Sequence, residues 1–266
     1  MKIICLNGWG GKLHGELIDY VVREDPDILC LQEVVHTPKT TKDWLTYRDG
    51  DHVLAQRANF FRDVAEALPD HFAQFCQSAQ GELWDGDVEI PSRWGLATFV
   101  RHSLPIIEQV QGFVHGEFSP HSYGDHPRPR LAHAVRVYDY EQDRSLCVAH
   151  MHGLRDLAGK MDTPARLAQA QRLATLLRGI AKPNEPIVFC GDFNIEPDSE
   201  TFAVLADLGL QDLVTARGFT STRTSHYPKA GRFADYMLVN SLVEVLRFEV
   251  VTDPEVSDHC PLLLEM

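Results

Sequence analysis

The stretch Val188-Phe189-Cys190-Gly191-Asp192-Phe193-Asn194 sets the tightest limit on how this chain folds. Pro186 to Cys190 is a short apolar run bounded by Pro and Gly, too brief for a helix and suited to a buried strand. The run stops at Gly-Asp-Phe-Asn. In an extended segment Asp192 and Asn194 face one way and Phe193 the other, so a carboxylate and an amide are aimed together while a ring turns away. The same tetrapeptide also makes an ordinary turn, because Gly, Asp and Asn favour turns for backbone reasons alone. Partners elsewhere in the chain decide between the two readings.

Such partners recur at the ends of other apolar runs. Ile3 to Leu6 stops at Asn7, ahead of Gly8-Trp9-Gly10-Gly11. Ile28 to Leu31 closes on Gln32-Glu33-Val34. Leu146 to Val148 leads into Ala149-His150-Met151-His152, where the two histidines share one face of an extended segment and suit metal ligation or acid-base work. Asp235 opens the strand-like Ala234 to Val239, and Ser257-Asp258-His259 precedes the final apolar run. A lone carboxylate at a strand end is usually solvated, but ligands gather beyond strand ends in open α/β sheets. The series as a whole is hard to explain by packing, since buried carboxylates without partners are costly.

Between these points the pattern predicts helices. Leu17, Ile18, Val21 and Val22 recur at helical spacing, and Asn59 caps a helix carrying Phe60, Val64 and Leu68. Thr163-Pro164 opens the clearest one, with Leu167, Gln171, Ala174, Leu177 and Ile180 as its apolar face, widened by Leu173 and Leu176. Another spans Ser199 to Leu208. Leu131 to Tyr138 and Leu146 to Val148 form a hairpin across Asp139 to Asp143. Gln77 to Arg93, with Gly81, Gly86 and Pro91, reads as loop, as does Gly112 to Arg130. Trp44, Trp84 and Trp94 are candidate cleft residues, and Arg128 with Arg130 is the best candidate for phosphate contact. No repeat or linker interrupts residues 1–266, so one domain is expected, built as a two-sheet α/β sandwich.

A formal net charge of −13 argues against holding nucleic acid through a broad basic surface. It leaves room for a nucleic-acid enzyme with a bound metal and a local arginine cluster. No run is long enough for a membrane span and Met1-Lys2 lacks the arrangement of a signal peptide, so a cytoplasmic protein is expected. The six cysteines include no CxxC and read as buried free thiols.

Leu6-Asn7, Leu31-Gln32-Glu33-Val34, Ala149-His150-Met151, Gly191-Asp192-Phe193-Asn194, Asp235-Tyr236 and Ser257-Asp258-His259 together resemble the endonuclease/exonuclease/phosphatase superfamily, metal-dependent phosphohydrolases of deoxyribonuclease I type. The resemblance implies a four-layer α/β/β/α sandwich of two mixed β-sheets flanked by helices. It implies Mg²⁺, or Mn²⁺ as a substitute, held mainly by Glu33 with Asn7 and Asp258 beside it, a donor set that agrees with a hard cation. It makes Asp192 the group that orients or deprotonates water and Asn194 the amide that positions water or phosphate. His259 becomes the phosphate-contacting histidine, held by Asp235, whose charge would favour the protonated ring. His150 becomes the second histidine, with His152 on the same face as the alternative. Many members read Asn-Thr-His-Leu where this chain has Val148-Ala149-His150-Met151, so that match rests on the histidine, and abasic-site endonucleases use a Tyr there.

The expected activity is Mg²⁺-dependent hydrolysis of a phosphodiester or phosphomonoester, the substrate being a small molecule or nucleic acid. One alternative is a nuclease on single-stranded DNA or RNA or on ends, clamped between Arg128, Arg130 and the tryptophans. The other is a non-catalytic phosphate-binding module, disfavoured because Glu33, Asp192 and His259 are all present.

Overall fold

The computed structural model describes residues 1–156 and 158–266. Its strands are β1 (Lys2–Asn7), β2 (Ile28–His36), β3 (Trp44–Asp49), β4 (His52–Arg57), β5 (His71–Asp85), β6 (Val88–Arg101) and β7 (Ile106–His115), followed by β8 (Arg130–Asp139), β9 (Arg144–His152), β10 (Ile187–Asp192), β11 (Gln211–Asp212), β12 (Asp235–Val239), β13 (Arg247–Val250) and β14 (Leu262–Glu265). Helices are α1 (His14–Glu24), α2 (Phe60–Ala67), α3 (Pro164–Ile180), α4 (Glu200–Ala206) and α5 (Leu213–Ala216). One sheet runs β13-β14-β1-β2-β6-β5-β3-β4 and the other β11-β12-β10-β9-β8-β7. Both are mixed: β1 is parallel to β2 and β10 to β9, while β1 is antiparallel to β14 and β10 to β12.

Period-two alternation explains the layers. Ile3, Cys5, Ile28 and Cys30 of the first sheet share a core with Ala132, Ala134, Cys147 and Ala149 of the second. The intervening Ile4, Leu6, Leu29 and Leu31 face outward, onto Leu17, Tyr20 and Val21 of α1 and Phe60 and Val64 of α2. The result is a sandwich of two mixed sheets with helices outside, as the strand-end pattern and the resemblance both predict. All six cysteines are buried and unpaired.

Helix α3 starts as its cap predicts, with Thr163 Oγ1 accepting from Arg166 N at 3.3 Å. Its buried side is rotated from the expected stripe, running through Arg166, Gln169, Ala170, Leu173, Ala174, Leu177 and Ile180. The two polar residues on it brace loops near the ends of β9 and β10. Arg166 Nη2 donates to Gly159 O at 2.6 Å and Asn194 O at 3.3 Å, and Gln169 Oε1 accepts from Leu154 N at 2.8 Å.

Gln77 to Arg93 is not a loop. It forms most of the β5–β6 hairpin, closed where Asp85 pairs with Val88 across Gly86-Asp87, with Gly86 at φ 61°. Asp85-Gly86 is a hairpin signal; Gly81 and Pro91, nearly opposite each other in the ladder, hide it from a pattern search. Gly81 is there because the Tyr123 ring lies 2.5 Å from where its Cβ would be. A second hairpin, β3–β4, lies between β2 and α2.

Gly191 lies in β10, paired with Met151 of the parallel β9, at φ 146°, and a Cβ there would sit 2.1 Å from Met151 O. Gly191→Ala is expected to cost about 2–4 kcal/mol, because backbone must move apart in the second sheet. Urea unfolding measures this; a change under about 0.5 kcal/mol contradicts the close approach.

Candidate active site

The strand order brings the polar strand ends to one edge of the sandwich. Asn7 closes β1, and β14, being antiparallel to it, delivers Ser257-Asp258-His259 to the same edge. Ser257 Oγ ties the two together by donating to Asn7 O at 2.7 Å. In the second sheet Asp192 pairs with His152 on one side and Asp235 on the other, so three polar residues stand in a row across β9, β10 and β12. Phe193 turns away as alternation requires, with its ring 4.9 Å from that of Phe189 and 5.4 Å from that of Tyr236.

Glu33 reaches this edge by a different device. It is not at a strand end: β2 continues to His36, and Glu33 sits on a bulge where the register shifts between Leu31 and Val34, at φ 55°. A bulge adds one residue to a strand and re-aims its side chain. Left-handed φ for a glutamate is uncommon and clusters at functional positions.

Asp192 is buried and anchored through both oxygens, Oδ2 accepting from Asn7 Nδ2 and Oδ1 from Asn194 N, each at 3.0 Å. The Asn194 amide lies 3.5 Å from Gly153 O, with the residue at φ 55°. Burial, then the neighbouring Asp258 and Asp192 carboxylates, push the Glu33 carboxyl up to about 7, against the pull of Asn7 and Arg130. The arginines near this cluster therefore do not neutralise it, and its donors are carboxylate and amide oxygens, which fit a hard divalent cation. Asp192, Asp235 and His259 also bring ligand atoms within 4.8 Å of one another. That trio is less suited to an ion, because His259 Nδ1 already lies 2.9 and 2.8 Å from the two Asp235 oxygens.

The histidines are placed by depth. His150 shares the face of His152 but lies one notch further into the sandwich, where Gln32 Nε2 is 3.1 Å from its Nδ1 and Thr98 Oγ1 is 2.8 Å from its Nε2. It does not reach the cluster, which corrects its expected place as the second histidine. His152 stands at the mouth instead, its Nε2 3.9 Å from Glu33 Oε1 and 3.8 Å from Asp192 Oδ2. Arg130 Nη1 is 3.4 Å from His152 Nδ1, so the ring proton belongs on Nε2, facing the carboxylates. Burial and then Arg130 lower the His152 pKa well below the usual histidine value and keep the ring neutral.

His259 is held by Asp235 as expected. Burial first, then Arg223, lower its pKa to about 4. Arg223 Nη1, a donor, meets Nε2, so that nitrogen is bare and the single ring proton lies on Nδ1, shared with Asp235. Burial and Arg223 thus oppose the protonated ring that the Asp235 carboxylate favours.

Of the two expected phosphate-contacting arginines, Arg130 joins the cluster and Arg128 does not. Arg130 is 5% exposed and its guanidinium carbon lies 5.2 Å from the Trp94 ring centroid. Arg128 is engaged by Asp49 at 3.1 Å and by the Tyr47 hydroxyl. Trp94 packs against His152 at 5.3 Å, whereas Trp84 stacks under Arg48 and Trp44 beside Arg57. The strand-end reading missed Arg223, Ser257's bridge and Thr222, whose Oγ1 accepts from the backbone of Ala234 and Asp235. Arg223 carried a faint signal, a basic residue in the stretch before Asp235, but nothing in the sequence marks its partner.

Because Glu33 titrates higher in the folded chain than in the unfolded one, its contribution is full below about pH 4 and is lost as pH rises toward 7. Without added metal the Glu33 carboxyl is expected to remove up to about 3 kcal/mol of stability between about pH 5 and 8, so wild type should lose stability relative to Glu33→Gln over that range, the opposite contributions of the buried histidines being common to both. Scanning calorimetry across this range checks it; parallel wild-type and Glu33→Gln curves would contradict it.

An assembly of oxygen ligands, a fixed carboxylate, histidines and arginines at the strand ends of a two-sheet sandwich defines a phosphoesterase-type site. The chain belongs to the endonuclease/exonuclease/phosphatase family, whose model matches residues 6–259. Comparison with curated proteins finds no match. Among solved structures it is similar to an endonuclease/exonuclease/phosphatase family protein of Bacteroides thetaiotaomicron (17% identity, TM-score 0.68, covering 99% of this chain and 96% of that one). It is also similar to a mannosyl-6-phosphatase of the same organism (18%, 0.66, 100% and 98%). The human Nocturnin catalytic domain with bound sulfate is another (18%, 0.61, 99% and 92%). No helix among the described residues is long and apolar enough to cross a membrane.

Proposed function

We propose that this chain is a Mg²⁺-dependent hydrolase of phosphate esters, with Mn²⁺ able to substitute. The observation that carries the reading is the convergence of Glu33, its carboxyl raised to about 7, with Asp192, Asp258 and Asn7 on one buried edge. Glu33 would be the principal ligand, with Asn7 and Asp258 beside it. Bound there, the ion would supply Lewis-acid relief of charge on the phosphoryl oxygens.

The residues perform the remaining steps. Asp192, pinned by Asn7 and Asn194, keeps a free lone pair on each oxygen and takes the proton from an attacking water. Asn194 holds that water in line. The water oxygen bonds to phosphorus as the ester oxygen departs, the proton taken up by Asp192 is passed on to the leaving oxygen through solvent, and the His152 Nε2–H hydrogen-bonds the phosphoryl oxygens while keeping its proton. Names among the structural relatives, a phosphatase and a domain with bound sulfate, agree with a tetrahedral oxyanion as ligand.

Release of 4-nitrophenol from 4-nitrophenyl phosphate or bis(4-nitrophenyl) phosphate tests the reading. Turnover should need Mg²⁺, stop with EDTA and return with Mg²⁺ or Mn²⁺. No turnover on a panel that also includes nucleotides, single-stranded DNA and RNA, inositol phosphates and sphingomyelin, with several divalent metals, overturns it.

A further inference from the structure

Two nearly buried arginines, Arg223 and Arg130, flank the carboxylate cluster. Arg223 is 7% exposed, and its side-chain hydrogen bonds among the described residues all leave from Nη1, to Asp258 Oδ2 at 3.1 Å and to His259 Nε2. Its Nε is buried with no partner, and its guanidinium carbon lies 4.1 Å from the Tyr227 ring centroid. A guanidinium has five N–H donors and keeps its charge. Burying that group with one carboxylate contact is costly, and the unused donors suit an anion with several acceptor oxygens.

His259 cannot replace it. Its Nδ1 faces Asp235 and its Nε2 faces Arg223 Nη1, so both ring nitrogens are occupied while Arg223 is in place. Arg130 repeats the pattern from the other end of the strand row. It too is nearly inaccessible and braced by Trp94; among the described residues its buried Nε has no partner and its side chain hydrogen-bonds His152 alone. Asp192, standing between His152 and Asp235, feels both arginines.

We propose that Arg223 is the specificity-determining residue of this site, closing with Arg130 a two-arginine clamp that prefers the terminal phosphoryl group of a phosphomonoester over a phosphodiester. A monoester presents three non-bridging oxygens and close to two negative charges at neutral pH; a diester presents two oxygens and one charge. Two forked guanidinium groups match the first and are underused by the second. The inference rests on the phosphoesterase reading for its substrate, and on binding chemistry alone for the clamp.

Calorimetric titration of the intact protein with inorganic phosphate, with Mg²⁺ present, reads the clamp without turnover. Arg223→Ala and Arg223→Lys are both expected to weaken phosphate binding by about tenfold or more, lysine keeping the charge and the apolar stem but losing the fork. The kcat/KM ratio for 4-nitrophenyl phosphate over bis(4-nitrophenyl) phosphate should favour the monoester in the wild type and fall by about tenfold or more in each variant. Arg223→Lys guards against simple misfolding, with matched thermal unfolding as the control. Unchanged phosphate affinity in a folded variant overturns the clamp, and an unchanged ratio or a wild-type preference for the diester overturns the selection. If the wild type hydrolyses neither ester while phosphate binding still falls on substitution, the clamp stands and the phosphoesterase reading fails.

Discussion

Asp192→Ala is expected to lower kcat on an aryl phosphate by about three orders of magnitude while leaving the protein folded. The orientation of its side chain is fixed from both sides by two uncharged donors, the Asn7 amide and the Asn194 backbone N–H, each at 3.0 Å. Two neutral donors hold it without consuming its charge. Asp192→Asn should fail nearly as badly, because an amide nitrogen must then face one of two groups that are themselves donors. Initial rates at saturating substrate, with circular dichroism on the same samples, decide the matter. A variant within about tenfold of the wild type would show that the base lies elsewhere.

The second large effect separates two histidines that the sequence cannot rank. His152→Ala is expected to reduce kcat by about a hundredfold, since its Nε2 proton faces the Glu33 and Asp192 carboxylates. His150→Ala should leave kcat within a few-fold and instead lower stability by about 2–4 kcal/mol, because Gln32 and Thr98 lose their buried partner. Thr98 also bonds His133 at 2.7 Å, so the loss propagates along a buried polar chain. Paired measurements of kcat and of urea unfolding for both variants test this crossing of effects. Activity lost in His150→Ala alone would restore it as the second histidine.

How far the sequence reached follows from what alternation can and cannot say. Period two places Asp192, Asn7 and Asp235 on the correct faces and turns Phe193 into the core, because each needs only the direction of a side chain. It also puts His150 and His152 on one face correctly, yet depth along that face depends on where the opposing sheet offers Gln32 and Thr98, which no local pattern records. Glu33 is legible as a candidate but not as a bulge residue. Arg223 and Asp258 are far apart in the chain and meet only because β14 runs antiparallel to β1, a tertiary fact. The long hairpin was hidden by a Pro and a Gly whose usual meaning is overridden by the Tyr123 ring and the register of β6.

The bulge in β2 has a genetic consequence. Leu31 pairs with Ala97 and Val34 with Gly95, so β2 spends one more residue than β6 over that span. Deleting the single codon for Glu33 would therefore not shift the frame of the sheet. It would restore regular pairing, with Gln32 opposite Leu96, and yield a well-folded chain that has lost its chief carboxylate. In such a lineage chemistry and architecture are separable by three nucleotides, and a non-catalytic descendant is one deletion away.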